Sequence, residues 1–146
     1  EEPVADIRVG ASRLIGGDVD PALVSLAIDE FPALFVAAAA AEGETRFSGL
    51  GELRVKESDR IAAMADGLRR LGIAVEETPD GATVQGGAFG GGVVESYHDH
   101  RVAMSLAMAA TIADDDVVIR GVDNVNTSFP GFCECVSGLG AKVELV

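Results

Sequence analysis

Apolar residues recur every three or four positions along several stretches of the chain, and short apolar runs lie between them. Ile61, Met64, Ala65, Leu68 and Leu71 fall on one helical face. They predict a helix over residues 57–71, with Gly72 at its C-terminal cap. The alanine-rich stretch after Asp29-Glu30-Phe31-Pro32 predicts another, to about Ala41. Asp29 is its expected cap, and the proline is tolerated in the first turn. Val102, Met104, Leu106, Ala107 and Ala110 predict a helix that starts at Asp99, and residues 130–139 predict a last one before Gly140. Strands are expected at residues 45–48, 73–77, 82–85, 117–120 and 142–146. Pro79-Asp80-Gly81 turns the second of these into the third as a hairpin. Residues 6–9 and 13–15 read as strands that close an earlier unit. The glycine-rich residues 86–92 read as a flexible connection. They lack the Lys-Ser/Thr of a phosphate loop and open no helix.

These elements repeat. Leu71-Gly72-Ile73-Ala74-Val75-Glu76 matches Leu139-Gly140-Ala141-Lys142-Val143-Glu144 in type, and Asp29 and Asp99 lie comparable distances upstream. The expected organisation is the end of a preceding unit over residues 1–20, a first unit over 21–87 and a second over 88–146. The second unit lacks its returning strand. The fold class expected is α+β, with helices packed on small mixed sheets. An unpaired strand at residues 142–146 would favour edge-to-edge dimers.

Composition narrows the function. The 146 residues are 48% hydrophobic and 24% charged, with only 5% aromatic, so a closely packed globular core is expected. A net charge of −13 opposes nucleic acid and anionic membrane surfaces as partners, since both need a basic face. The longest apolar run, residues 31–41, is about half a membrane span. The start at Glu1-Glu2-Pro3 has no signal-peptide pattern, and the absence of an initiator Met reads as a piece of something longer. Cys133 and Cys135 are too close for a stapling disulfide and have no His partner at metal spacing. They read as helix side chains in a reducing compartment.

Two charged clusters stand out. Leu53-Arg54-Val55-Lys56-Glu57-Ser58-Asp59-Arg60 concentrates three of the chain's few cations beside carboxylates. The plain reading is a solvated helix start laced with ion pairs. The chemical reading is a site that holds a small anion and moves a proton: Lys56 and Arg60 share a face if the helix includes both, and Arg60 suits phosphate or carboxylate. His98-Asp99-His100-Arg101 opens the later helix. Its two histidines diverge around Asp99 and have no third ligand, so no metal is expected. Arg101 near a helix N-terminus suits an anion.

The first cluster resembles a signature of the 5-enolpyruvylshikimate-3-phosphate synthase family. Tyr97-His98-Asp99-His100-Arg101-Val102-Ala103-Met104 and Thr127-Ser128-Phe129-Pro130 resemble its other signatures, and Asp29-Glu30-Phe31-Pro32 its active-site aspartate segment. The wording Ile28-Asp29-Glu30-Phe31-Pro32 and Leu50-Gly51-Glu52-Leu53 is similar to the glyphosate-tolerant bacterial subgroup. The resemblance implies a chain that is one third of a cytoplasmic two-domain enzyme, each domain built from three β-α-β-α-β-β units. It implies transfer of the enolpyruvyl group from phosphoenolpyruvate to the 5-hydroxyl of shikimate 3-phosphate, without metal or cofactor. Asp29 would contact the shikimate hydroxyls as a candidate base, and Lys56 would bind there and shuttle the proton. Glu57 would be the acid–base group at the methylene carbon. Arg60 and Arg101 would clamp phosphoenolpyruvate, with His100 beside it. This third alone is expected not to turn over.

Two positions depart from the family pattern. Thr127 stands where many members have lysine, and Glu52 where some have asparagine. Glu52 would repel a phosphate and is given no binding role. Two other functions compete. The transferase acting on UDP-N-acetylglucosamine needs a reactive cysteine loop that is absent here. A non-catalytic scaffold of the same repeat, such as an RNA-processing relative, is opposed by the acidic charge.

Overall fold

The structure, a computed structural model, describes residues 4–146; the acidic start at Glu1 and Glu2 lies outside them. A helical run comes first. It comprises a 3-10 turn Pro21–Leu23, α1 Val24–Ala27, a second 3-10 turn Ile28–Glu30 and α2 Phe31–Ala39. Then follow β1 Glu44–Phe47, a 3-10 helix Gly51–Val55, α3 Arg60–Arg70, β2 Val75–Thr78 and β3 Gly81–Gln85. The second half contains β4 Gly92–Glu95, α4 His100–Ala110, β5 Val117–Arg120, α5 Val125–Ser128 and α6 Phe132–Gly138.

Parallel pairing occurs in both halves. β4 and β5 pair in parallel, Gly92 beside Val117, with α4 as the crossover. Parallel strands need such a crossover because a tight turn cannot reverse the chain twice. In the first half the segment before α1 meets the start of β1 in the same sense, through the parallel bridges Ile15–Glu42 and Asp18–Arg46. The first half also has a three-stranded antiparallel sheet in the order β1-β3-β2. The Pro79-Asp80-Gly81 hairpin sets its register, with Thr78 opposite Gly81.

One core joins the halves. Phe31 and Phe35 of α2, Ile61, Met64 and Leu68 of α3, Val102 and Leu106 of α4, and Val84 and Val94 of the sheets form one buried cluster. Phe35 stacks on Phe47 with ring centroids 4.7 Å apart. Gly67 lets α3 and α4 approach: a Cβ there would sit 2.8 Å from Leu106 Cδ2. A smaller cluster of Ala103, Val125, Phe132 and Val136 fastens α6 beneath α4.

Several expected elements differ. Helix α2 begins at Phe31, and Asp29 does not cap it; its carboxylate is taken by side-chain cations. Helix α3 begins at Arg60, not residue 57, because Asp59 is its cap and accepts from the Ala62 N–H at 3.0 Å. Residues 6–9 form no strand, and residues 13–15 contribute only the Ile15 bridge. Residues 142–146 form no strand either, so the edge expected to favour dimers is not built there. The glycine-rich stretch is anchored throughout: Gly86 N–H donates to Gly43 O, Gly87 to Ala39 O, Gly90 to Leu71 O and Gly92 to Asp116 O. Phe89 is buried within it. Glycine serves close approach there, since a Cβ on Gly86 would fall 1.7 Å from Ala41 O.

One helical run, Pro21–Ala39, is long and apolar enough to cross a membrane. It carries Asp29 and Glu30 at its middle, and its second half packs on α3 and α4 as a core helix does.

Candidate functional site

Two helices start side by side, and each start is fixed by an aspartate. Asp59 caps α3, and Asp99 caps α4 by accepting from the Arg101 N–H at 2.9 Å and the Val102 N–H at 3.4 Å. The chain reaches Asp99 through Tyr97 and His98, both at φ +56. Two adjacent non-glycine residues in the left-handed region cost of order 1–3 kcal/mol each and persist only when their surroundings impose them. Here Ser96 Oγ donates to Gly121 O at 2.6 Å, and the Asn124 amide donates to the His98 carbonyl. The loop after β5 thereby holds the turn that aims the start of α4.

Arg60, the first residue of α3, points inward with only 1% of its side chain exposed. A buried guanidinium needs partners for its fork of donors. Nε donates to Asp99 at 2.8 Å, Nη1 to Asp29 at 3.0 Å and Nη2 to Glu57 at 2.6 Å. Asp99, fully buried, also accepts from Ser58 Oγ at 3.0 Å. Burial pushes the Asp99 carboxyl up. The Arg60 hydrogen bond and charge outweigh that, helped by the Arg101 N–H and Ser58, and hold it below the usual carboxylate range. Burial pulls the Arg60 guanidinium down, but its hydrogen bond and charge interaction with Asp99, with Glu57 and Asp29, outweigh that and leave it raised. Arg101 closes the group: Nη1 donates to Asp29 O at 3.1 Å, and Nη2 lies 3.3 Å from Asp29 Oδ2.

The structure thus brings together Asp29, Glu57, Arg60 and Arg101. His100 opens α4 next to them, half-buried. Lys56 is set apart. It ends the 3-10 helix in an extended conformation and pairs with Glu52, so it does not share a helix face with Arg60. Arg54 also stands outside the group: it donates to Pro79 O at 2.8 Å and Thr78 O at 2.6 Å and pairs with Asp59. It pins the β2–β3 hairpin to the start of α3. Thr127 lies in α5 with its hydroxyl donated to Asn124 O. The anchoring role of Asp99 was not visible beyond its place at a helix start, because its partners are 39 and 41 residues away. A groove of about 540 Å³ leaves the site along α3, lined by Glu57, Ser58, Ala62, Asp66 and Tyr97 among others.

Chemically, the arrangement offers two guanidinium groups and two part-exposed carboxylates around one point. The EPSP synthase (3-phosphoshikimate 1-carboxyvinyltransferase) pattern matches residues 1–136. The chain belongs to this family. The 3-phosphoshikimate 1-carboxyvinyltransferase of Xanthomonas campestris pv. campestris strain 8004 is 60% identical over 139 residues, covering 95% of this chain and 32% of that protein. The protein of the same name from Nitrosococcus oceani is 59% identical over 143 residues, covering 98% and 32%. A solved EPSP synthase from Acinetobacter baumannii superposes with a TM-score of 0.88 at 48% identity, covering 90% of this chain and 32% of that one. The chain spans about a third of the length of the curated relatives it matches. The α+β fold expected from the sequence is the fold of these EPSP synthases.

Proposed function

We propose that this chain supplies one half-site of an enzyme that transfers the enolpyruvyl group of phosphoenolpyruvate to the 5-hydroxyl of shikimate 3-phosphate and releases phosphate. The convergence of Asp29, Glu57 and Arg101 on buried Arg60 carries the reading. Arg60 and Arg101 supply positive charge for phosphoenolpyruvate, with His100 beside it. Asp29 orients the shikimate hydroxyls and accepts the 5-hydroxyl proton as its oxygen bonds to the enol phosphate carbon, with Lys56 binding the same region as the group that shuttles the proton. Glu57 gives a proton to the methylene, which yields a tetrahedral intermediate. Glu57 then takes a methyl proton back, the double bond reforms, and phosphate leaves with the proton held by the base. General acid–base catalysis of this kind contributes about 10²–10⁴-fold in rate. The reading calls on no metal or cofactor. It places the enzyme in the cytoplasm, divides the chain into units at residues 20 and 87, and gives both phosphates their remaining contacts from the rest of the polypeptide. The chain alone does not turn over. Its wording around Asp29 and Glu52 supports a place among the glyphosate-tolerant bacterial members.

The test is a chimera with this chain in place of the matching third of the Acinetobacter baumannii enzyme. Phosphate release that requires both substrates is expected, with kcat lowered about 10²–10⁴-fold in Glu57→Gln. A folded chimera that releases no phosphate refutes the reading.

A further inference from the structure

The candidate site carries more negative than positive charge. Arg60 and Arg101 stand against four carboxylates: Asp29, Glu30, Glu57 and Asp99. An anion cannot simply add to cations that are already taken; the like-charge repulsion would cancel the attraction. One carboxylate must give way. Asp99 cannot, since it is fully buried with four donors on it. Asp29 is held by both guanidinium groups. Glu57 has one cation partner, Nη2 of Arg60, and its side chain is 51% exposed at the mouth of the groove.

We infer that an anionic ligand takes the Nη2 side of Arg60 from Glu57, and that the displaced Glu57 takes up a proton from solvent. This rests on the functional reading above and deepens it: binding the anion loads the acid. The balance is simple. The Arg60–Glu57 ion pair, a dianion and a proton become an Arg60–dianion pair and a neutral Glu57. Only an O–H bond forms, and nothing is oxidised. The groups around Glu57 decide what the exchange leaves it facing. Glu57 faces Arg60 on α3, with Asp29 on the turn before α2 and Asp99 and Arg101 at the start of α4. The groove adds Asp59, Asp66 and Glu77 against Arg69, with the Tyr97 phenol at its lip. Neighbouring Lys56 is engaged by Glu52. Once Arg60 is taken, Glu57 has lost its counter-charge and gained a negative neighbour.

Inorganic sulfate is the probe, because its charge is constant from mildly acidic to neutral pH. It is titrated into the 146-residue chain and its Glu57→Gln form, followed by side-chain NMR of the arginines, with Glu57→Ala as a second variant should the first misfold. Wild-type affinity is expected to rise as pH falls. The Gln form is expected to bind about tenfold more tightly at neutral pH, with a flat profile, as removal of one part-exposed like charge implies. A variant that binds no better than wild type, or one that keeps the pH slope through His100, overturns the exchange. So does the absence of sulfate binding by both. An inactive chimera refutes the transferase reading separately, whatever the sulfate result.

Discussion

Asp99→Asn removes one charge from the least exposed ion pair among the described residues and leaves its shape intact. Arg60 stays buried with Asp29 and Glu57, both part-exposed, as its remaining carboxylates. The new amide group also faces the guanidinium with a donor where an acceptor stood. Breaking a buried pair from one side costs about 3–5 kcal/mol. The caps to Arg101 and Val102 run to the other oxygen, Oδ1, which the amide retains, so little is added for them. For a chain of this length that range lowers Tm by about 6–20 °C. The assay is thermal and urea unfolding of both forms across pH. Asp99 has a depressed carboxyl in the folded state, so its contribution is full above the unfolded value near 3.8 and is lost as pH falls through the lower folded one. Wild type should therefore lose stability on that acid limb, and the variant should lose less there. A change under about 1 kcal/mol, or an unchanged acid limb, would show that Arg60 is held by its exposed partners and that the role given to Asp99 is wrong.

Three further substitutions test the packing. Gly86→Ala would drive a Cβ against the Ala41 carbonyl, which is backbone and cannot swing aside; about 3 kcal/mol of stability should be lost. Gly138→Ala, with nothing near its Cβ, should gain about 0.5–1 kcal/mol by helix propensity alone; denaturant melts that rank the two equally would contradict the close-approach argument. Leu106→Ala, fully buried against Gly67, should lower stability by about 2–5 kcal/mol. Matching changes in amide exchange in both halves are the check, because the core is shared.

Much of this was legible in the sequence because it is written locally. Helical periodicity found α3 and α4, and Pro79-Asp80-Gly81 found the hairpin. The clustered cations located the two segments that meet at Arg60. What escaped is what depends on distant partners. Glycines at 86–92 look like slack in one dimension; in three they admit neighbouring backbones, and β4 hides behind them. Asp29 looks like a cap because caps are short and acidic, but Arg60 and Arg101 take its carboxylate. Lys56 and Arg60 are four residues apart, yet the helix starts between them, so the expected shared face does not exist. Residues 142–146 carry a strand-like pattern and find no ladder in which to use it.

The two aspartates that stand before α2 and α4 both end on the same guanidinium. Their settings differ: one is sealed inside as a permanent anchor, while the other keeps 42% of its side chain in water. One carboxylate thus keeps the scaffold, while the other gives the same arginine a partner that water can reach.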